Sequence, residues 1–442
     1  MSKQITPRFA GLLVGIVLLA GLLTGIPSGL ASPQRRAVTA PAARNPVLIA
    51  ATNSVLKEVS EIRELSILRP VRSAIQSRPE IERMIIKNLN EDVTPAEIHA
   101  TEITWKKLGL APADFQYREF LIKLLGEQVA GYYEPRSKQF FIADWIDLDA
   151  QKPVMAHELT HALQDQHFNL RRFEHWPKGD SDAEMAARAL IEGDATLSMT
   201  LYIAHNPLGA LAFLKSMKAG MAATQQLDSA PRALRESLLF PYLEGGQWTQ
   251  ELYKRGGWAS VSRAFTDLPK STEQIMHADK FFAHEAPVSV TLPDVKTILG
   301  AGWKRVDYDV NGEWSYYLIL DEFLKSSTES KRAAAGWGGD RYEVFEGPNA
   351  GNVLLAQLSV WDTEKDAREF FDAYAKRTKL RYPNATPTNP ATDSGLPSPS
   401  LGQSWRTSEG GVLIELRGSR VLVVEGVPDG INAAILAKAL WQ

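Results

Sequence analysis

The run Val154-Met155-Ala156-His157-Glu158-Leu159-Thr160-His161-Ala162-Leu163 restricts the fold of this chain more than any other. Glu158 is its one formally charged residue and the flanks are apolar or small, so a helix over this stretch is buried on both sides of its polar face. The fold must enclose it and give two imidazoles and a carboxylate partners in the interior. Pro153 fits the first turn of such a helix, which the pattern carries to about Gln166. His157 and His161, four apart, project from one face one turn apart, so their ring nitrogens can take two corners of a tetrahedral zinc site. Glu158 sits about 100° round the helix from His157, where its carboxylate can take a proton from a metal-activated water instead of binding the ion.

Two imidazoles leave such a site one protein ligand short, and three residues are candidates. His167 completes the longer His-Glu-x-x-His-x-x-x-x-x-His spacing of metzincins, but that motif needs Gly in its middle to turn the chain, and Gln164 stands there. Its competing role is a helix-end His beside Phe168. Glu184 closes Ser181-Asp182-Ala183-Glu184, which has the form of a capping box and would return its carboxylate to the backbone. Glu192 lies deeper in the same expected helix, Asp182 to His205, among apolar and small neighbours that would bury it, and a buried carboxylate needs a cation. Gly193 lets this helix approach another closely, as it must for Glu192 to reach a metal held by the first helix. The competing partner for Glu192 is Arg188, four residues earlier. Asp194 or Asp165 is a candidate for orienting a ligand imidazole from behind.

The chain has 442 residues, 44% hydrophobic and 23% charged, enough for a full core and for two or three folding units. Its net charge of -3 offers no basic field, which argues against a nucleic-acid partner. Cys is absent, so disulfides, thiolate chemistry and Cys-type zinc sites are excluded and any metal must sit on His, Asp or Glu. At the N-terminus, Lys3 and Arg8 precede an apolar run from Phe9 to Ile26, then Pro27 and Ser28-Gly29-Leu30-Ala31. This reads as a secretory signal over residues 1–31 cleaved after Ala31, or alternatively as an uncleaved anchor; either puts the body outside the cytoplasm, with a membrane contact only through that anchor.

Residues 32–54, rich in Ala, Pro and Arg, read as a flexible leader, with order expected from about Val55. Helical patterns run from there to Gly131, followed by a turn-rich approach and a short strand at Gln139 to Ala143. Further helices are expected over 208–285. Beyond Pro293 the pattern mixes strands (Trp314 to Leu320, Val353 to Trp361, Val412 to Leu416, Val421 to Val424) with a helix at Glu364 to Arg377 and a long loop from Pro383 to Pro399. The expected class is α+β: a mainly helical unit over 55–300 with a short sheet, then a smaller α+β unit over 301–442 whose role the residues do not reveal.

The residues Gln128-Val129-Ala130-Gly131-Tyr132-Tyr133, His157 to Phe168, Glu192-Gly193-Asp194-Ala195 and Ser271-Thr272-Glu273-Gln274-Ile275 resemble the gluzincins, and among them the predicted exported metallopeptidases of bacteria and archaea. The resemblance covers about residues 55–290. It implies a zincin-like fold, zinc on His157, His161 and Glu192, Glu158 as general base, and a cleft strand near Phe140 to Ala143 that pairs with an extended peptide. The chain departs from the thermolysin-like pattern at Thr196, where an acidic residue would stand. Hydrolysis also needs a donor for the developing oxyanion, for which His277 and Tyr242 are the candidates. The expected function is zinc-dependent hydrolysis of a peptide or protein; the alternative is a noncatalytic zincin-fold binding or scaffold protein of the cell envelope.

Overall fold

In the computed structural model the described residues are 46–174, 176–207, 229–388 and 400–442. The signal or anchor, the leader up to residue 45, the first part of the helices expected over 208–285 and most of the Pro383 to Pro399 loop lie outside them.

The first helix, α1 (Pro46–Arg63), overturns the expectation that order begins near Val55. Leu48, Thr52, Val55, Leu56 and Val59 fall at helical spacing and are buried. They close over Met155, Leu159 and Leu163, and it is this burial that orders residues read as leader. Strand β1 (Arg72–Gln76) and helices α2 (Arg78–Asp92), α3 (Pro95–Leu108) and α4 (Tyr117–Gln128) follow. Capping boxes at Ser77 and Glu80 and at Thr94 and Glu97 start α2 and α3, each with Pro in the first turn. Strands β2 (Gly131–Glu134) and β3 (Gln139–Ala143) complete a three-stranded sheet of order β1-β3-β2, with β1 parallel and β2 antiparallel to β3.

Three long helices form the centre. Helix α5 (Leu148–Phe168) carries the His157 to His161 run; Asp147 caps it, so Pro153 falls inside the helix and not in its first turn. Helix α6 (Ser181–His205) carries Glu192, and its N-terminus is capped by Asp180, whose side chain accepts from Ala183 N. Helix α7 (Arg232–Ala264) is broken at Gly256 and Gly257, where φ reaches 59°. Helices α6 and α7 touch backbone to backbone: a Cβ on Gly193 would stand 2.2 Å from the Gly245 carbonyl oxygen, and one on Gly245 would stand 2.3 Å from that of Ala189. Gly193 thus serves close approach as expected, but its neighbour is α7 and not the helix of His157.

Short helices α8 (Thr272–Met276), α9 (Ala278–Phe282) and α10 (Lys296–Leu299) lead to β4 (Lys304–Asp309), α11 (Gly312–Leu324) and α12 (Ser327–Ala334). Then come β5 (Trp337–Glu346), β6 (Val353–Trp361), α13 (Glu364–Arg381), β7 (Thr386–Thr388), β8 (Ser400–Thr407), β9 (Gly410–Arg417), β10 (Arg420–Val427) and α14 (Ala433–Leu440). The second sheet is antiparallel, in the order β4-β5-β6-β10-β9-β8-β7. The class is α+β, a helical region with a small sheet followed by a sheet region. Trp314 to Leu320, read as a strand, is helical. In α11 Trp314, Tyr316, Tyr317, Leu318, Ile319 and Leu320 are all buried, and a helix enclosed on every side carries no 3.6-residue period to recognise.

The two regions share a core. One apolar cluster runs from Leu190 and Trp248 through Trp314 and Ile319 to Phe370 and Val423. Polar contacts pin the junction: Asp309 at the end of β4 accepts from Ser181 N at the start of α6 (2.8 Å), and Thr272 Oγ1, which donates to Asp182 (2.5 Å), accepts from Trp314 N on α11 (3.2 Å). Burial pushes the Asp309 carboxyl up to about 8 and that of Asp307 up to about 7. No helix among the described residues is long and apolar enough to cross a membrane.

Candidate metal centre

The mainly apolar run forces α5 into the interior, and α1, β2 and α6 surround it. On its polar face His157 Nε2 and His161 Nε2 stand 3.1 Å apart, the edge-on meeting that residues four apart on one face allow. Glu192 reaches across from α6: its Oε2 lies 3.0 Å from His157 Nε2 and 3.4 Å from His161 Nε2. His157 and His161 are 0% exposed and Glu192 3%.

Four zinc ligands at about 2.0–2.1 Å in tetrahedral array lie about 3.3 Å from one another. The triangle of His157, His161 and Glu192 has nearly those sides, two neutral nitrogen donors and one anionic oxygen, so the residues fit the ion. Among the described residues His157 Nδ1 is buried without a hydrogen-bond partner. Its polar contacts there run through Nε2, the nitrogen that faces the other two groups. Burial alone would raise the Glu192 carboxyl, but the two imidazoles outweigh it and hold it well below the ordinary carboxylate value. Burial alone would lower His161, and Glu192 raises it instead, while burial does lower His157.

Glu158, next on α5, is 0% exposed and points to the sheet, where its Oε2 accepts from Tyr133 N on β2 at 2.8 Å. Its charge reaches the centre, raising both His161 and the Tyr242 hydroxyl. Tyr242 arrives on α7, one turn before Gly245. The backbone contact of Gly245 with α6 presses the Tyr242 ring onto His157, with centroids 6.0 Å apart at 28°. Its hydroxyl bonds the Glu192 carboxylate, and burial together with Glu192 and Glu158 keeps it protonated. Arg188, Met185, Pro241 and Tyr242 line a cavity of about 30 Å³ beside Glu192, room for about one water.

The other sequence candidates lie elsewhere. His277 is not brought to the centre: it sits past the end of α8, with its Nε2 2.9 Å from Glu313 Oε1 on α11, and its ring is partly exposed. His167 stays on α5, which runs straight past Gln164, and its Nε2 lies 2.7 Å from the Ser66 carbonyl oxygen. Glu184 does not close a capping box; Asp180 takes that role, and Glu184 accepts from Arg188 at 2.7 Å. Asp165 accepts from Tyr133 Oη (3.0 Å) and Leu170 N (3.1 Å), a bracing role away from the imidazoles. The expectation that β3 receives a peptide meets an obstacle: β3 is the middle strand, with both edges taken by β1 and β2. The strand beside Glu158 is β2.

Two contributors, Gln164 and Arg63, were not legible as such; Asp194, named from the sequence, acts on His161 through Gln164. Gln164 lies between α5 and α6, its Oε1 2.8 Å from His161 Nδ1 and its Nε2 donating to Asp194 Oδ2 (2.9 Å) and the Ile191 carbonyl (3.0 Å). Asp194 in turn pairs with the wholly buried Arg63 of α1, with Oδ1 2.5 Å from Arg63 Nε. A polar side chain one turn from His161 in an otherwise apolar helix was the available signal, since a buried amide must find partners.

A second group able to converge on a cation is Glu273, Glu285 and Asp362. Lys280 Nζ already fills it, at 2.8, 2.5 and 2.6 Å from the three carboxylates. Among known families, a domain of unknown function, DUF8575, matches residues 297–434, the sheet-bearing part of the chain and not the part that carries the centre. Comparisons with curated proteins and with solved structures give no match.

Proposed function

We propose that this chain is a zinc-dependent peptidase of zincin type, with His157, His161 and Glu192 as ligands and Glu158 as general base. The observation that carries the reading is the convergence of three buried ligand atoms within 4.8 Å of one another, beside a carboxylate on the next residue of the same helix. Zinc held there would polarise a peptide carbonyl and acidify a water. Glu158 accepts the proton of that water and delivers it to the leaving amine. Tyr133 N–H fixes one oxygen of the Glu158 carboxylate, so the base does not have to search for its orientation. Tyr242 carries a protonated hydroxyl at the same place and is the donor for the developing oxyanion, a role for which His277 lies too far aside. The expected setting is outside the cytoplasm, which rests on the N-terminal reading alone.

One observation favours a second reading, a noncatalytic fold stabilised by zinc. Among the described residues the centre is buried, and the cavity of about 30 Å³ beside it is too small for a peptide without movement. Metal analysis of the purified full chain followed by cleavage of a peptide library separates the two. Stoichiometric zinc with cleavage that Glu158→Gln abolishes supports the peptidase. Stoichiometric zinc without cleavage leaves the scaffold, and absence of zinc from a protein loaded and dialysed under native conditions sinks both.

A further inference from the structure

We infer that the buried series Arg63, Asp194 and Gln164 sets the proton of His161 on Nδ1, so that His161 is a pre-formed metal ligand while His157 is not. The inference deepens the zinc reading and rests on it only for its metal-binding half.

Gln164 is held in one orientation by its surroundings. Both groups near its Nε2, Asp194 Oδ2 and the Ile191 carbonyl oxygen, are acceptors that need N–H donors. Turning the amide over would face its oxygen to two other oxygens, so Oε1 must point to His161 Nδ1, and Nδ1 must carry the hydrogen of that 2.8 Å bond. In the neutral ring Nε2 then keeps its lone pair, aimed at His157 and Glu192. Asp194 is fixed in turn. Arg63, 0% exposed, donates to Asp194 and to Ser262 Oγ (3.1 Å), and lies 4.5 Å over the Trp258 ring. Ser262 and Trp258 lie beyond the Gly256–Gly257 break in α7, so that break places the last links of the series.

Among the described residues His157 has no such support, its Nδ1 being buried without a partner there. Two Nε2 lone pairs cannot face each other at 3.1 Å without a hydrogen or a cation between them. With His161 committed, the hydrogen in the metal-free neutral pair belongs to His157 Nε2, which is 3.0 Å from Glu192 Oε2. Metal uptake must therefore move the proton of His157 and leave that of His161 where it is. Gln164 is in this sense a positioning residue, supporting a ligand through an amide where a carboxylate or carbonyl often stands.

Long-range ¹H–¹⁵N imidazole spectra of the full chain test this without reference to activity. At alkaline pH, where both rings are neutral, the metal-free protein should show His161 protonated on Nδ1 and His157 on Nε2. After zinc is added His157 should change to Nδ1 and His161 should not. Gln164→Leu should lose the fixed pattern at His161 and weaken zinc in a chelator competition by roughly 10- to 100-fold. Wild-type His161 protonated on Nε2, or a pattern unchanged in folded Gln164→Leu, overturns the inference. Should Gln164→Leu not fold, the wild-type spectrum decides alone. The expected His161 pattern in a protein that takes up no zinc supports the proton assignment and removes the metal reading, so the two failures are distinguishable.

Discussion

The centre on α5 and α6 and the acidic group around Lys280 present the same outline, three ligand-type side chains converging on a point, and differ in what occupies the point. Glu273, Glu285 and Asp362 close on the ammonium of Lys280, a cation that the chain itself supplies. His157, His161 and Glu192 close on one another, and two of the three are imidazoles, donors better suited to a transition metal than to an ammonium. Convergence of ligands is thus not evidence of a metal until the intrinsic cations have been placed. One group should depend on what is in the buffer, and the other should not.

The comparison can be broken in several ways. Glu158→Gln should retain zinc and lose hydrolysis by roughly 10²- to 10⁴-fold in kcat; full activity would remove the general-base assignment. Chelation should lower the unfolding free energy of wild type by about 4 kcal/mol if zinc was present at about a thousand times its Kd. It should do much less in Glu192→Ala, and equal shifts in the two proteins would show that the ion sits elsewhere. Lys280→Met should cost on the order of 3 kcal/mol with or without chelator, since it leaves three carboxylates facing one another. Glu273 is pushed up by burial to about 7 even beside Lys280. A carboxyl raised in the folded state contributes stability below its unfolded value that is lost as pH rises through the folded one, so the Lys280→Met deficit should shrink at acid pH.

Gly193→Ala places a Cβ against the Gly245 carbonyl and should cost about 1–3 kcal/mol while displacing Tyr242 from His157. A melting temperature equal to wild type would show that α6 and α7 can part without loss. The smallest effect is expected at the junction of the two regions. Asp307 and Asp309, near 7 and 8 in the folded chain, should make the melting temperature fall as pH rises through that range. Asp309→Asn, which keeps an acceptor for Ser181 N, should flatten the slope.

Features that depend on one element's own pattern could be read from the chain. The buried character of α5, the burial of Glu192, and the strands β6, β9 and β10 follow from polarity and period within a segment, whereas the capping box that set Glu184 aside did not form. What failed depends on neighbours. Pro46 to Ser54 became helix because α5 offered its stripe a partner. Trp314 to Leu320 lost its helical signature through burial on all sides. Whether β3 is an edge or a centre is a property of the sheet, which no single strand displays. Gln164 was read only as the absence of a Gly, because its worth lies in Asp194 and Ile191 on another helix and in Arg63 beyond them.

The carboxylate of Asp309 on the first turn of α6 bears on how this protein can be divided. A chain cut near residue 300 would leave the α6 N-terminus without that acceptor, and would bare the faces of Leu190 and Trp248 that continue into Trp314 and Ile319. The half bearing the candidate centre should then be insoluble on its own, and the whole should melt in one transition, so that the sheet region acts as an obligate foundation whatever else it binds.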